Sequence, residues 1–359
     1  MSEEACADAY RPARPSEIPE ILALRRRVNG DMWWDDQLFV QWRYFSRLID
    51  GKDVAYWVFV KDGEVLGACG LEPITLVIDG KPVAAVRTLD IMVRPELDGL
   101  GLGVFMNLML FKHFPITLVT GSNEKSHQLL KRMFHHTVDL RFWKAAIRAK
   151  ALMHEKVNLG PLSAVVAPPV DLVLGFWRWR RRVVPPPGIT IKPISSFDSR
   201  VMDLSRRCEL SGRLIVRRSD EYLNWRFVEN PRCRHHIFGA FRGDELEGYA
   251  VTRLNLARPN PRRQAEVVDW LAKPVTHPAD SVLPSLIQTG IEPLIREGAG
   301  IVSCAGVTDD LAPAMAATGF RFRPAERLPF FVRAADPDVH HRLTSGCGWY
   351  LTRGDWDVE

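Results

Sequence analysis

The chain repeats itself, and that repetition limits what it can fold into. Tyr10-Arg11-Pro12-Ala13 precedes Pro15, Ser16 and the apolar-periodic Ile18, Ile21, Leu22 and Leu24, which reads as strand, cap and helix. About 180 residues later, Ile191-Lys192-Pro193-Ile194 precedes Ser195, Ser196 and then Val201, Met202 and Leu204. At nearly the same offset, Trp42-Arg43-Tyr44 returns as Trp225-Arg226-Phe227, and the hairpin around Asp62-Gly63 returns as Ile237 to Gly248. Leu89-Asp90-Ile91-Met92-Val93 is answered by Val268-Asp269-Trp270-Leu271-Ala272. The unit is a whole domain, longer than any solenoid repeat, so duplication is implied and an array is excluded.

With 359 residues, 46% of them hydrophobic and 11 Trp, the chain can fill two cores, and disorder is excluded as its bulk state. Strands mixed with helices in each copy give an α/β (α+β) class. We divide the chain into residues 1–150, a connector 151–188 and residues 189–359. The acidic, polar start and the lack of a long apolar run make a cytoplasmic protein the expectation. A net charge of +5 gives no reason to expect nucleic acid. The six Cys are scattered and expected reduced. Cys233, His235 and His236 are not expected to hold a metal, because adjacent His on a strand point to opposite faces.

In the connector, Pro161, Pro168, Pro169 and Pro185 to Pro187 argue against a long helix, although Asp171 to Trp179 fits a short one. Residues 176–182 interleave aromatics with Arg. A membrane surface or a nucleic acid could use such a run, but it is short and flanked by prolines. The expected role is a strap whose Trp side chains pack on the two cores.

The most informative loop is Val93 to Gly103, which runs from a strand through Asp98-Gly99-Leu100-Gly101-Leu102-Gly103 into a helix beginning near Val104. Glycines tolerate φ > 0, and the first amides of a helix lack internal partners, so this is the architecture of an anion cradle. It lacks the Lys-Ser/Thr of a Walker loop and the spacing of a dinucleotide fingerprint. A plain tight turn is the alternative. In the second copy the corresponding stretch, Lys273 to Ser281, has no glycine.

Val93-x-Pro95 followed by Asp98 to Gly103 resembles the acyl-CoA motif of the GCN5-related N-acetyltransferases (GNAT). Thr120-Gly121-Ser122-Asn123-Glu124-Lys125-Ser126 resembles that family's next strand and helix. The resemblance covers both copies and is closest to GNAT-like proteins of bacterial polysaccharide pathways. It implies two GNAT-type mixed-sheet domains in tandem, the second lacking the CoA loop. It also implies acetyl-CoA or another acyl-CoA as cosubstrate, held by Ile91, Met92, Val93, Asp98, Gly99, Leu100, Gly101, Leu102, Gly103, Val104, Asn123 and Ser126, and no metal. Asp90 is the candidate base, against pairing with an Arg such as Arg87. Ser122 is a candidate to orient the acceptor, with helix capping as the alternative for it and Asn123. Asp98 departs from the family's Arg or Gln, and Leu130 stands where many members carry a Tyr acid.

The implied activity is direct acyl transfer to an amine or hydroxyl, such as an amino sugar of a glycan precursor. The second half is expected to complete the acceptor site or to form a homodimer. Two other readings are open: a noncatalytic CoA-binding scaffold or sensor, and an aminoacyl-tRNA-dependent transferase of the Fem type. The aromatic tail Trp349 to Asp357 is expected to dock, its Asp355 and Asp357 either reaching an acceptor or only keeping an edge strand soluble.

Overall fold

The computed structural model describes residues 9–30, 36–49, 51–120, 124–149, 163–210, 212–255 and 263–356. In the first half, β1 (Tyr10–Pro12) leads into helix α1 (Ile18–Asn29) and a helical turn that widens into a π-turn at Gln41–Phe45. A two-stranded ribbon follows, β2 (Leu48–Ile49) and β3 (Asp53–Val54). Then come β4 (Tyr56–Lys61), β5 (Glu64–Ile78), β6 (Lys81–Val93), helix α2 (Leu102–His113), β7 (Ile116–Thr120), helix α3 (Glu124–Met133) and β8 (His135–Ala146).

Helix α4 (Ser163–Arg180) links this half to the second. There β9 (Ile189–Pro193), helix α5 (Ser199–Cys208), β10 (Leu214–Val216) and a π-turn at Asn224–Val228 precede β11 (His235–Arg242), β12 (Glu245–Leu254) and β13 (Gln264–Ala272). Helix α6 (Leu283–Arg296), β14 (Ile301–Val307), helix α7 (Leu311–Thr318), β15 (Arg321–Ala334), helix α8 (Pro337–Thr344) and β16 (Trp349–Thr352) complete it. The duplication read from the sequence is thus a duplication of elements, and the expected mixed-sheet tandem is the fold.

The halves are not separate sheets. One sheet runs β1-β4-β5-β6-β7-β15-β8-β14-β13-β12-β11-β9, so β15 of the second half lies between β7 and β8 of the first. In turn β8 lies against β14 of the second half, with Ile301 opposite Ala146 and Gly306 opposite Arg141. Each half lends one strand to the other, and the strand at 135–146 belongs structurally to both. Two further strands close a ring: β10 pairs with the far end of β5 and with β16, and β16 pairs with the end of β14.

An approximate two-fold relation is written into the junction. Trp42 and Trp225 stack at 5.3 Å between ring centroids. The indole Nε1 of each donates to the main-chain carbonyl of the other, both at 3.1 Å. The residue after each Trp is a buried Arg, and Arg43 and Arg226 both reach Glu72 of β5 at 2.9 Å. Arg87 at 3.0 Å and the Tyr222 hydroxyl at 2.7 Å complete the cage. Burial opposes the charge on Glu72, but three guanidiniums outweigh it and hold the carboxyl far below its usual range.

The connector differs from expectation in two respects. Helix α4 runs through Pro168 and Pro169, which fall in its first two turns, where only a few i→i−4 bonds are forfeited. Trp177, expected to pack on the cores, is exposed instead, as is Phe176, and the side chain of Trp179 lies outside the described residues.

Candidate active site

β6 and β7 run parallel for only three residue pairs, Val86 to Thr88 against Thr117 to Val119, and then part. Along the parted stretch, among the described residues, no strand pairs with Leu89 to Val93 on the β7 side. The edge at Ile91, Met92 and Val93 therefore faces a V-shaped opening. Ile91 and Val93 are half-buried and Met92 is buried in the wall behind them.

Two residues of β6, Asp90 and Ile91, are set against the single Cys69 of β5, because the register jumps between Ala68↔Met92 and Gly70↔Leu89. Asp90 takes the strain of this bulge, with φ of 47°. Its carboxylate Oδ2 accepts from Arg25 Nη1 of α1 at 3.0 Å and from the Tyr44 hydroxyl of the π-turn. Burial alone would raise the pKa of Asp90, but the Arg25 charge and the Tyr44 hydrogen bond prevail and hold it below the usual carboxylate range. The partner is thus Arg25, not Arg87, which belongs to the cage around Glu72.

The cradle sits at the mouth of the V. A single turn at Pro95–Leu97 leads through the exposed Asp98, Gly99, Leu100 and Gly101 to the first turn of α2, where Leu102, Gly103 and Val104 are half-buried. Gly99 has φ of 80° and Gly101 has φ of 84°, conformations an L side chain rarely adopts. The first bond of α2 runs from the Phe105 amide to the Gly101 carbonyl at 3.0 Å. Within the loop, Leu100 N donates to Leu97 O and Asp98 N to Pro95 O, both at 3.2 Å. Among the described residues, the amides of Gly99, Gly101, Leu102, Gly103 and Val104 donate to no main-chain carbonyl. These amides cluster at a helix N-terminus, the arrangement that suits an anion.

On the other limb, β7 ends at Thr120, whose Oγ1 is shielded from solvent and hydrogen-bonded to nothing among the described residues. Such an atom is costly unless something fills the opening beside it. Ser122 and Asn123 lie outside the described residues. Ser126 stands half-buried in the first turn of α3. Leu130 is a core residue, packed with Val119, Phe134 and Phe331 of the exchanged strand β15. A Tyr hydroxyl there would be buried in an apolar cluster.

Sequence reasoning missed Arg25, Tyr44 and Thr120. Arg25 was detectable, since it interrupts the apolar stripe of Ile18, Ile21 and Leu24 on α1. Thr120 opens the stretch that resembles the family's next strand and helix, but nothing local marks its hydroxyl.

The second half carries the same V with a different content. β13 and β14 are parallel from Gln264↔Ile301 to Val267↔Cys304 and then part. Into this opening passes the tail: Gly306 and Val307 pair with Thr352 and Leu351 of β16, and the Tyr350 hydroxyl donates to the Trp270 carbonyl at 3.2 Å. Asp269, the counterpart of Asp90, accepts from Arg218 at 3.1 Å and from the Tyr249 hydroxyl at 2.6 Å. Asp355 ties Arg218 at 2.7 Å and Arg87 of the first half at 3.5 Å, all three buried. The fit is so close that a Cβ on Gly354 would lie 2.9 Å from that of Asp269. In place of the cradle is a turn at Pro278–Asp280. Asp355 is therefore a buried structural anion that neither reaches toward an acceptor nor keeps an edge strand soluble, and Asp357 lies outside the described residues.

Fold and site together define an architecture of two like halves on one mixed sheet, with one open and one filled cleft. Solved structures of the same fold include a GCN5-related N-acetyltransferase from Anabaena variabilis, 12% identical with a TM-score of 0.60 over 91% of this chain and 72% of that one. Another is a GCN5-related N-acetyltransferase from Kribbella flavida, 14% identical with a TM-score of 0.57 over 91% and 71%. The N-myristoyltransferase of Saccharomyces cerevisiae with bound myristoyl-CoA is 11% identical with a TM-score of 0.57 over 90% and 78%. These similarities establish the fold alone. No protein-family model matches the sequence, and no curated protein is similar to it.

Proposed function

We propose that the first half binds an acyl-CoA in its open V and transfers the acyl group directly to an amine or hydroxyl acceptor. The observation that carries this reading is the row of amides at Gly99 and Gly101 to Val104, uncommitted within the main chain at the mouth of the V. They suit the diphosphate of a CoA, and the parted edge at Ile91 to Val93 suits its amide-bearing arm. Main-chain amides on that edge would polarise the thioester carbonyl. The acceptor nitrogen or oxygen then bonds to the carbonyl carbon, the carbon–sulfur bond breaks, and the thiolate leaves. A thiol pKa of about 8.5 makes that leaving group tolerable without an acid, which accommodates Leu130.

Asp90, held ionised by Arg25 and Tyr44, is a weak proton acceptor. In this reading it orients the acceptor through the carboxylate, and the acceptor's proton departs to water. Ser122, Asn123 and Ser126 are assigned to the arm or the acceptor. From the resemblance we take an amino sugar of a glycan precursor as the acceptor class, in a cytoplasmic setting.

The test is thermal unfolding with and without acetyl-CoA, since a ligand at 100 times its Kd adds about 2.7 kcal/mol to the folded state. An upward shift is expected; its absence rejects the reading. Thiol release with a panel of amines including glucosamine then separates transfer from mere binding. A shift without release would favour a scaffold, the reading that Asp98 and Leu130 support. A shift with acetyl-CoA also argues against an aminoacyl-tRNA donor.

A further inference from the structure

Helix α4 has a side that soluble proteins rarely show to water. Its inner side is pinned to the body. The Asp171 carboxylate accepts from the Ala149 amide at 2.6 Å, and Arg178 donates to the Ile147 carbonyl at 3.1 Å. Just past the helix, Gln288 of α6 accepts from the Val183 amide at 2.7 Å and donates to the Arg181 carbonyl at 3.0 Å. The helix is thereby fixed in rotation, and what it turns outward is a property of the fold.

At about 100° per residue, Leu172, Val173, Phe176, Trp177 and Arg180 share one half of the helix, while Asp171, Leu174 and Arg178 share the other. The outward half is almost wholly apolar. Leu172 is 76% exposed, Val173 53%, Phe176 53% and Trp177 55%. An ordinary surface helix reverses this pattern, with charge outward and apolar residues inward. The four side chains are contiguous, which distinguishes them from the scattered exposed apolar residues of any protein.

Among the described residues, a cluster of charge lies at one end of this stripe. Arg180, Arg181 and Arg182 follow Trp177, and all three are exposed. The Arg181 guanidinium lies 5.9 Å from the centroid of the Trp177 ring, and that of Arg180 lies 6.0 Å from the centroid of Phe176. A cation set beside an aromatic at the edge of an apolar stripe matches the boundary between lipid headgroups and acyl chains, where Trp prefers to sit and Arg meets phosphate. No helix among the described residues is long and apolar enough to cross a membrane. The arrangement is that of a helix lying in the interface plane.

We infer that the outward face of α4 docks the protein on an anionic lipid surface, with Leu172, Val173, Phe176 and Trp177 entering the headgroup layer and Arg180 to Arg182 pairing with lipid phosphates. The occupant is chosen by charge: three Arg beside an apolar stripe complement an anionic bilayer, whereas a second copy would bring three Arg of its own. The inference is independent of what the open V binds.

The test uses the full chain and co-sedimentation with vesicles. Vesicles of phosphatidylcholine and phosphatidylglycerol in equal parts are expected to carry down the protein, and vesicles of phosphatidylcholine alone to carry down much less. Added salt should weaken the binding. Leu172→Asp with Trp177→Asp should abolish it, and Arg180→Glu with Arg181→Glu should lower partitioning by about tenfold or more. The substituted side chains are exposed, so the melting temperature is the control that each variant is folded. Absence of sedimentation with anionic vesicles overturns the inference. So does sedimentation that both double variants leave unchanged. Light scattering that shows a dimer dissolved by Trp177→Asp, in a protein that ignores vesicles, would make the face an interface between copies and overturn it equally.

Discussion

The two V-shaped openings differ in what occupies them. In the second half, Tyr350 and Thr352 supply hydrogen bonds from within the chain to Trp270 and Asp269. In the first, the matching edge at Ile91 to Val93 and the amides of the cradle lack such partners among the described residues. A duplicated fold inherits two parted strand pairs, and each exposes polar main chain that must be satisfied. The tail satisfies one permanently. The other is left for a ligand, and only that one retains glycines at positive φ.

The sharpest way to break this contrast is Asp355→Ala. It leaves Arg87 and Arg218 buried with one fewer anion, at an expected cost of about 3–5 kcal/mol in urea unfolding. A smaller loss would mean that the tail is a loose cover and the second V can open. Next comes Gly101→Val, which forces a β-branched residue into left-handed backbone. It should remove the stabilisation of about 2.7 kcal/mol expected from acetyl-CoA at 100 times its Kd, with a small loss of basal stability. Ser281→Gly at the corresponding place in the second half should leave the acetyl-CoA shift unchanged.

Asp90→Asn is expected to cost about 2 kcal/mol at neutral pH by weakening the bond to the buried Arg25. Asp90 has a lower pKa folded than unfolded, so its contribution is complete above the unfolded value of about 4 and is lost as pH falls toward the folded one. The difference between wild type and variant should therefore shrink in acid, as unfolding curves at stepped pH would show. Smallest is Trp225→Phe, which deletes one of the two reciprocal indole bonds for about 1 kcal/mol. Trp42→Phe should cost the same; unequal losses would mean that the two-fold relation is geometric without being energetic.

Much of each half was legible because its signals are local. Asp62-Gly63 marks a hairpin, the glycines before Val104 mark a loop entering a helix, and Trp-Arg-aromatic occurs twice. The exchange of β8 and β15 was not legible, since the choice between partners more than 150 residues apart is made by tertiary packing and leaves no mark on either strand. The aromatic tail announced that it must dock but not where. Asp90 stood out by its place before the cradle, as a candidate base, whereas its lowered pKa makes it a weak one. Its partner Arg25 interrupts the apolar stripe of α1, but which carboxylate it meets is set by tertiary packing, and the prolines at 168 and 169 make α4 look shorter than it is.

The reciprocal loan of one strand has a consequence for how such a chain can change. Neither half can be excised cleanly, because each would take with it the strand that joins the other's last strand to the rest of its sheet. The filled cleft therefore matters as architecture: the half whose opening is occupied by its own tail still holds the open one in shape. The single polypeptide thus resembles a two-subunit assembly whose partners can never dissociate, and a change that loosens either half reaches the other through the strands they exchange.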